Sequence, residues 1–152
     1  MDPIVHGLIS GFTASKKTGW NKKISPYLFW GIVPDFYGFI MYSAVILGSS
    51  YETWQKYFFD FYNPSHSLII ALGVILSACL IRQKIYWPML MWPLHILTDV
   101  ISHQIIRTPI IWPITTAGIP GLFEYSYIQA LIWTYIIVVP IVVFIVLRKV
   151  VK

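Results

Sequence analysis

Four long apolar windows, at 27–48, 66–81, 85–106 and 125–147, constrain this chain more than any other feature. A bilayer core of about 30 Å is crossed by roughly 20 helical residues. Three windows reach that length, and the second approaches it when extended outward to Pro64. A fifth, shorter stretch opens the chain, from Ile4 to Phe12. Lys16 and Lys17 follow that stretch, whereas a secretory signal carries its positive charge first. Hydrophobic residues make up 57% of the 152 positions and charged residues only 11%. A soluble domain averages roughly 25% charged residues, and one core of this size cannot hide so much apolar surface. The composition argues against a soluble enzyme, a disordered chain and a nucleic-acid binder. Cys79 is the single cysteine, which leaves no disulfide framework and no thiolate metal site.

The charges mark the two sides of a membrane rather than a patch for phosphate backbones. Lys and Arg stay on the cytoplasmic side of a bilayer. With residues 1–15 running inward, segments 16–26, 82–84 and 148–152 are cytoplasmic. They hold Lys16, Lys17, Lys22, Lys23, Arg82, Lys84, Arg148, Lys149 and Lys152, while Lys56 and Arg107 lie outside. The expected architecture is an all-α integral membrane bundle of about five helices, the first one short, forming a single domain over 1–152. Its N-terminus is outside and its C-terminus cytoplasmic, as in a prokaryotic-type cytoplasmic membrane. In the outer connection 49–65, Tyr51, Trp54, Phe58 and Phe61 recur at helical spacing, with Glu52, Lys56 and Asp60 on another face. This predicts a short amphipathic helix at the interface. Segment 107–124, with Pro109, Pro113, Gly118, Pro120 and Gly121, predicts turns.

Ionisable groups inside apolar spans are expensive and mark function. They are His6, Asp35, His66, His95, Asp99 and His103, and they include all 4 histidines. At about 1.5 Å per helical residue, the first five fall within a slab of roughly 10 Å near mid-membrane. His95 and Asp99 are four apart and share one helix face. Imidazoles and carboxylates without thiolate suit Zn²⁺, Mn²⁺ or Fe²⁺. Two buried aspartates must protonate or find a cation, and no Lys or Arg lies at their depth. A divalent ion resolves that cost. A lone His within a span more often bonds a neighbouring helix than a metal, so the weight falls on the set.

The order of short motifs resembles a known family. An early His in Met1-Asp2-Pro3-Ile4-Val5-His6 is followed by Pro34-Asp35, His66-Ser67 and His95-x-x-x-Asp99. Ser102-His103 and Thr108-Pro109-Ile110-Ile111-Trp112-Pro113 come next. Together they resemble the YdjM-like membrane-bound metal-dependent hydrolases, which are similar in turn to the zinc-dependent phospholipase C and P1 nuclease group. The resemblance implies that Asp35, His66, His95 and Asp99 hold one metal, with His6 and Asp99 serving a second. Phe36 and Tyr37 stand where the family commonly has a second acid. The Arg that commonly precedes the Thr-His-Ser motif is missing from Phe61-Tyr62-Asn63-Pro64-Ser65-His66.

The expected function is hydrolysis of a phosphate ester of a lipid or lipid-linked substrate by metal-activated water. Asp35 or Asp99 takes the water's proton. The expected cofactor is Zn²⁺ first among divalent ions, one ion or two. His103 is expected as an outer contact or a second-metal ligand, and Arg107 and Lys56 as anion contacts at the outer mouth. The rival expectations are a metal or proton permease, and a membrane protein with a structural metal and no catalysis.

Overall fold

The computed structural model describes residues 3–18, 22–103 and 107–122, with single positions at 132, 136 and 140. Within them the chain is all-helical. Helix α1 spans Pro3–Thr18 and α2 spans Ser25–Ile32. A 3-10 turn, Val33–Asp35, leads into α3, Phe36–Ile46. Helix α4 is Tyr51–Ser65 and α5 is Leu68–Arg82. A further 3-10 turn, Trp87–Leu90, precedes α6, Met91–Ser102. Among the described residues the one β-type pairing is an isolated bridge between Thr108 and Ile119.

The breaks have local causes. Pro34 lacks an N–H and sits in the 3-10 turn that separates α2 from α3. Pro64 lies in the last turn of α4, and the chain leaves the helix at His66. Ser67 then caps α5, its hydroxyl accepting the Ile70 N–H at 3.3 Å. Helix α5 closes on Gln83 in the left-handed conformation. The window 27–48 is interrupted at Val33–Asp35 and 85–106 is shortened to α6 after Trp87–Leu90, while 66–81 is α5 almost as expected. Among the described residues no single helix is long and apolar enough to cross a membrane. The pair Tyr57–Ser65 and Leu68–Arg82 passes on length and composition together, bent by 56°. The window 125–147 lies outside the described residues, apart from positions 132, 136 and 140.

The helix expected within 49–65 is α4. Its inward face is formed by Phe58 and Tyr62, four residues apart and stacked at 5.1 Å. Tyr57, Phe59, Asp60 and Phe61 are exposed. The side chains of Tyr51, Trp54 and Lys56 lie outside the described residues. Segment 107–122 forms turns, as expected, and runs back over the core. Leu68 N donates to Ile110 O at 2.8 Å and Gly121 N to His103 O at 2.7 Å. A Cβ at Gly121 would stand 2.7 Å from His103 N, so only glycine permits that approach.

The interior is mixed: Val5, Ala71, Met89 and Ile96 are buried, and a polar set is buried with them. His6, Ser10, His66, Ser67, His95, Asp99, Ser102 and Thr108 are all at most 1% exposed. Leu47, Ile81 and Leu122 are more than 80% exposed, and Phe12, Phe29, Phe36, Leu76 and Leu80 more than half. Helix α6 occupies the middle, packed against α1, α2 and α5. The α1–α2 contact is close because Gly31 has no side chain. A Cβ there would lie 2.7 Å from Ser10 Cβ and 3.0 Å from the His6 carbonyl. Gly31→Ala is therefore expected to push α1 away and destabilise the fold by about 1–3 kcal/mol. Denaturant unfolding of the purified variant measures this, and an unchanged midpoint would mean that α1 is not seated on α2 as described.

Candidate metal centre

Each helix break or helix end delivers one polar side chain to the same point. Asp35 closes the 3-10 turn after Pro34. His66 occupies the bend between α4 and α5. His95 and Asp99 project from one face of α6. His6 arrives from α1, and His103, just past α6, turns back in extended backbone.

Four atoms converge: Asp35 Oδ1, His66 Nε2, His95 Nε2 and Asp99 Oδ2. His66 Nε2 lies 3.3 Å from Asp35 Oδ1 and 3.0 Å from Asp99 Oδ2. His95 Nε2 lies 3.5 Å and 3.3 Å from the same two atoms. The two imidazole nitrogens are 3.3 Å apart. One ligand atom from each of the four residues lies within 4.8 Å of all the others. Metal–ligand bonds of about 2.0–2.1 Å in a tetrahedral shell give edges of roughly 3.3 Å. Five of the six edges here measure 3.0–3.5 Å.

The outer hydrogen bonds fix what these nitrogens carry. His95 Nδ1 bonds the Gly31 carbonyl at 2.8 Å. His66 Nδ1 bonds the Tyr62 carbonyl at 3.1 Å and also meets Ser65 Oγ. A carbonyl only accepts, so both Nδ1 atoms donate. In the neutral rings both Nε2 atoms then present lone pairs to two carboxylate oxygens and to each other. Such neutral rings put four acceptors at one point, which a cation there satisfies; protons on the two Nε2 atoms, giving imidazolium–carboxylate pairs, satisfy it in the metal-free chain. A group of nitrogen and oxygen donors without sulfur fits a divalent ion.

Asp99 joins a second set of contacts. Its Oδ1 is 2.9 Å from His6 Nε2 and 3.1 Å from His103 Nε2. Thr98 Oγ1 donates to the His95 carbonyl at 2.7 Å, so at 3.0 Å it accepts from His6 Nδ1. Thr98 thus orients His6 as Gly31 orients His95.

The structure brings together His6, Asp35, His66, His95, Asp99 and His103. It leaves Arg107 exposed on the segment after His103, and the Lys56 side chain lies outside the described residues. Sequence reasoning missed Thr98 and the Gly31 carbonyl. Thr98 had a faint signal as the hydroxyl beside Asp99, whereas a carbonyl exists at every residue and gives none.

A cavity of about 110 Å³ adjoins the cluster, lined in part by Asp35, His66, His103, Tyr37, Phe58 and Tyr62. Asp35 Oδ2 is buried with no hydrogen-bond partner among the described residues. Compared with known proteins, the chain matches no family model, no curated protein and no solved structure.

The geometry predicts one tightly held divalent ion per chain. Asp99→Asn should abolish tight binding. His103→Gln should weaken it by about 10–100-fold, the usual effect of losing an outer partner. Elemental analysis and competition titration read both. Full occupancy in Asp99→Asn with loss in His103→Gln would reverse the ligand assignment.

Proposed function

We propose that this chain is a membrane-embedded metal-dependent hydrolase acting on a phosphate ester of a lipid or lipid-linked substrate. The observation that carries the reading is the set of four convergent donors beside a cavity that Asp35, His66 and His103 help to line. Zn²⁺ is the preferred ion, because the edges suit its tetrahedral bonds. Such an ion supplies Lewis-acid polarisation of the ester and lowers the pKa of a bound water. Asp35 would hold the ion through Oδ1 and, as a residue lining the cavity, would serve as the base toward water. Asp99 cannot do so, since His66 and His95 face its Oδ2 and His6 and His103 its Oδ1. His6 and His103, sharing Asp99 Oδ1, form the place for a weaker second ion. Arg107 and Lys56 remain the anion contacts of this reading.

The membrane setting is supported by the many large apolar side chains left exposed around a buried polar cluster. The N-outside, C-inside orientation in a prokaryotic-type cytoplasmic membrane rests on the distribution of Lys and Arg. A second reading, a structural metal without catalysis, is favoured by the tetrahedral spacing itself, since four protein ligands close a shell. The cavity beside the cluster weighs for catalysis.

Two experiments test the proposal. The Zn²⁺-loaded chain in lipid nanodiscs should hydrolyse a phospholipid or a lipid phosphate. Asp35→Asn should lower kcat by about 10²–10⁴-fold at metal concentrations that keep the site loaded. A loaded wild-type chain that turns over neither ester would leave the structural reading. Orientation is read by single-cysteine labelling in a Cys79→Ser background. Lys17→Cys should react only from the cytoplasmic side, and reaction only from outside would overturn the orientation.

A further inference from the structure

His66 is the one inner ligand outside the helices and 3-10 turns, at the end of α4, where its own N–H still bonds Tyr62 O at 2.9 Å. Its backbone is therefore not held by a helical ladder on the C-terminal side. Its neighbours on both sides are tied to other elements instead. Ser65 O accepts the Trp92 indole N–H from α6 at 2.7 Å. Ser67 Oγ donates to Trp112 O at 2.6 Å, and the same oxygen accepts the Ile70 N–H at 3.3 Å. Leu68 N adds a bond to Ile110 O at 2.8 Å. Ser67 is fully buried, while its partners Trp112 and Ile70 are half-buried.

We infer that Ser67 and Trp92 are positioning residues for the metal centre, clamping the bend so that His66 Nε2 stays at ligand distance from Asp35, His95 and Asp99. The inference rests on the metal reading of that cluster. Ser67 has a single hydroxyl proton, which goes to Trp112 O, and its lone pair caps α5. Alanine at 67 removes both ties and leaves Trp112 O and Ile70 N–H without that partner. Trp92→Phe is narrower. It keeps a ring to stack on Trp30, now 6.0 Å away between centroids, and removes only the N–H to Ser65 O.

Co²⁺ alone is the probe, because its visible absorption reports ligand geometry. Ser67→Ala and Trp92→Phe should each weaken Co²⁺ binding by about 10–100-fold and change the spectrum of the bound ion. The helix content of the metal-free chain should stay unchanged in circular dichroism. Ser67→Thr keeps the hydroxyl and should restore wild-type affinity and spectrum. Ser77→Ala removes an exposed bond within α5, Ser77 Oγ to Gly73 O, and should change neither. Wild-type Co²⁺ affinity and spectrum in Ser67→Ala and Trp92→Phe, or a Ser67→Thr variant no better than Ser67→Ala, would overturn the inference. If Ser67→Ala fails to fold, Trp92→Phe decides alone. A wild-type chain that binds no Co²⁺ overturns the metal reading, and this inference with it.

Discussion

The Asp99 carboxylate is the point on which the packing turns. It is buried to 1% exposure on α6, where an unpaired charge is penalised by several kcal/mol. The chain answers with every imidazole it has. His66 and His95 meet Oδ2, and His6 and His103 meet Oδ1. These four come from α1, from the bend between α4 and α5, from α6 itself and from the residue just beyond it. Gathering four imidazoles around one carboxylate thus fixes how α1 and α5 approach α6. The close seat of α1 at Gly31 and the fold-back of Gly121 onto His103 are the steric conditions for that approach.

Helix breaks are the second element of the design. A continuous helix can offer two ligands on one face, as α6 does with His95 and Asp99. Further ligands at the same point must come from other elements, whose backbones have to end or bend there. Pro34 and Pro64 arrange this for Asp35 and His66. Irregular backbone carries polar groups that need partners. Here they are found in the Tyr62 carbonyl for His66 N and in the Ile110 carbonyl for Leu68 N.

Much of the site could be read from the sequence because burial of a charge is a strong constraint at known helical rise. Counting residues along apolar windows placed His6, Asp35, His66, His95 and Asp99 at one level, and the structure brings them together. The same counting set His103 a turn further out. It nonetheless reaches Asp99, since residues four apart are neighbours at a helix end. The all-helical class and α4 were legible from periodicity. The stop of α6 at Ser102, inside the window 85–106, was not, because the apolar window runs on past it. Nor was the inward face of α4. The recurrence of Tyr51, Trp54, Phe58 and Phe61 pointed to one stripe, while the packed pair is Phe58 with Tyr62, which stacks on His66 at 3.9 Å. The outer partners Thr98 and Gly31 act through bonds that only the folded arrangement creates.

The central claim is that the four convergent donors surround an ion. X-ray absorption at the metal edge of the Zn²⁺-loaded chain tests it most directly, since it reads the identity and distance of the first neighbours without reference to any activity. The account predicts nitrogen and oxygen neighbours at about 2.0–2.1 Å, with the outer-shell scattering of two imidazole rings. A shell of oxygen alone without imidazole scattering, or one containing sulfur from Cys79, would contradict it.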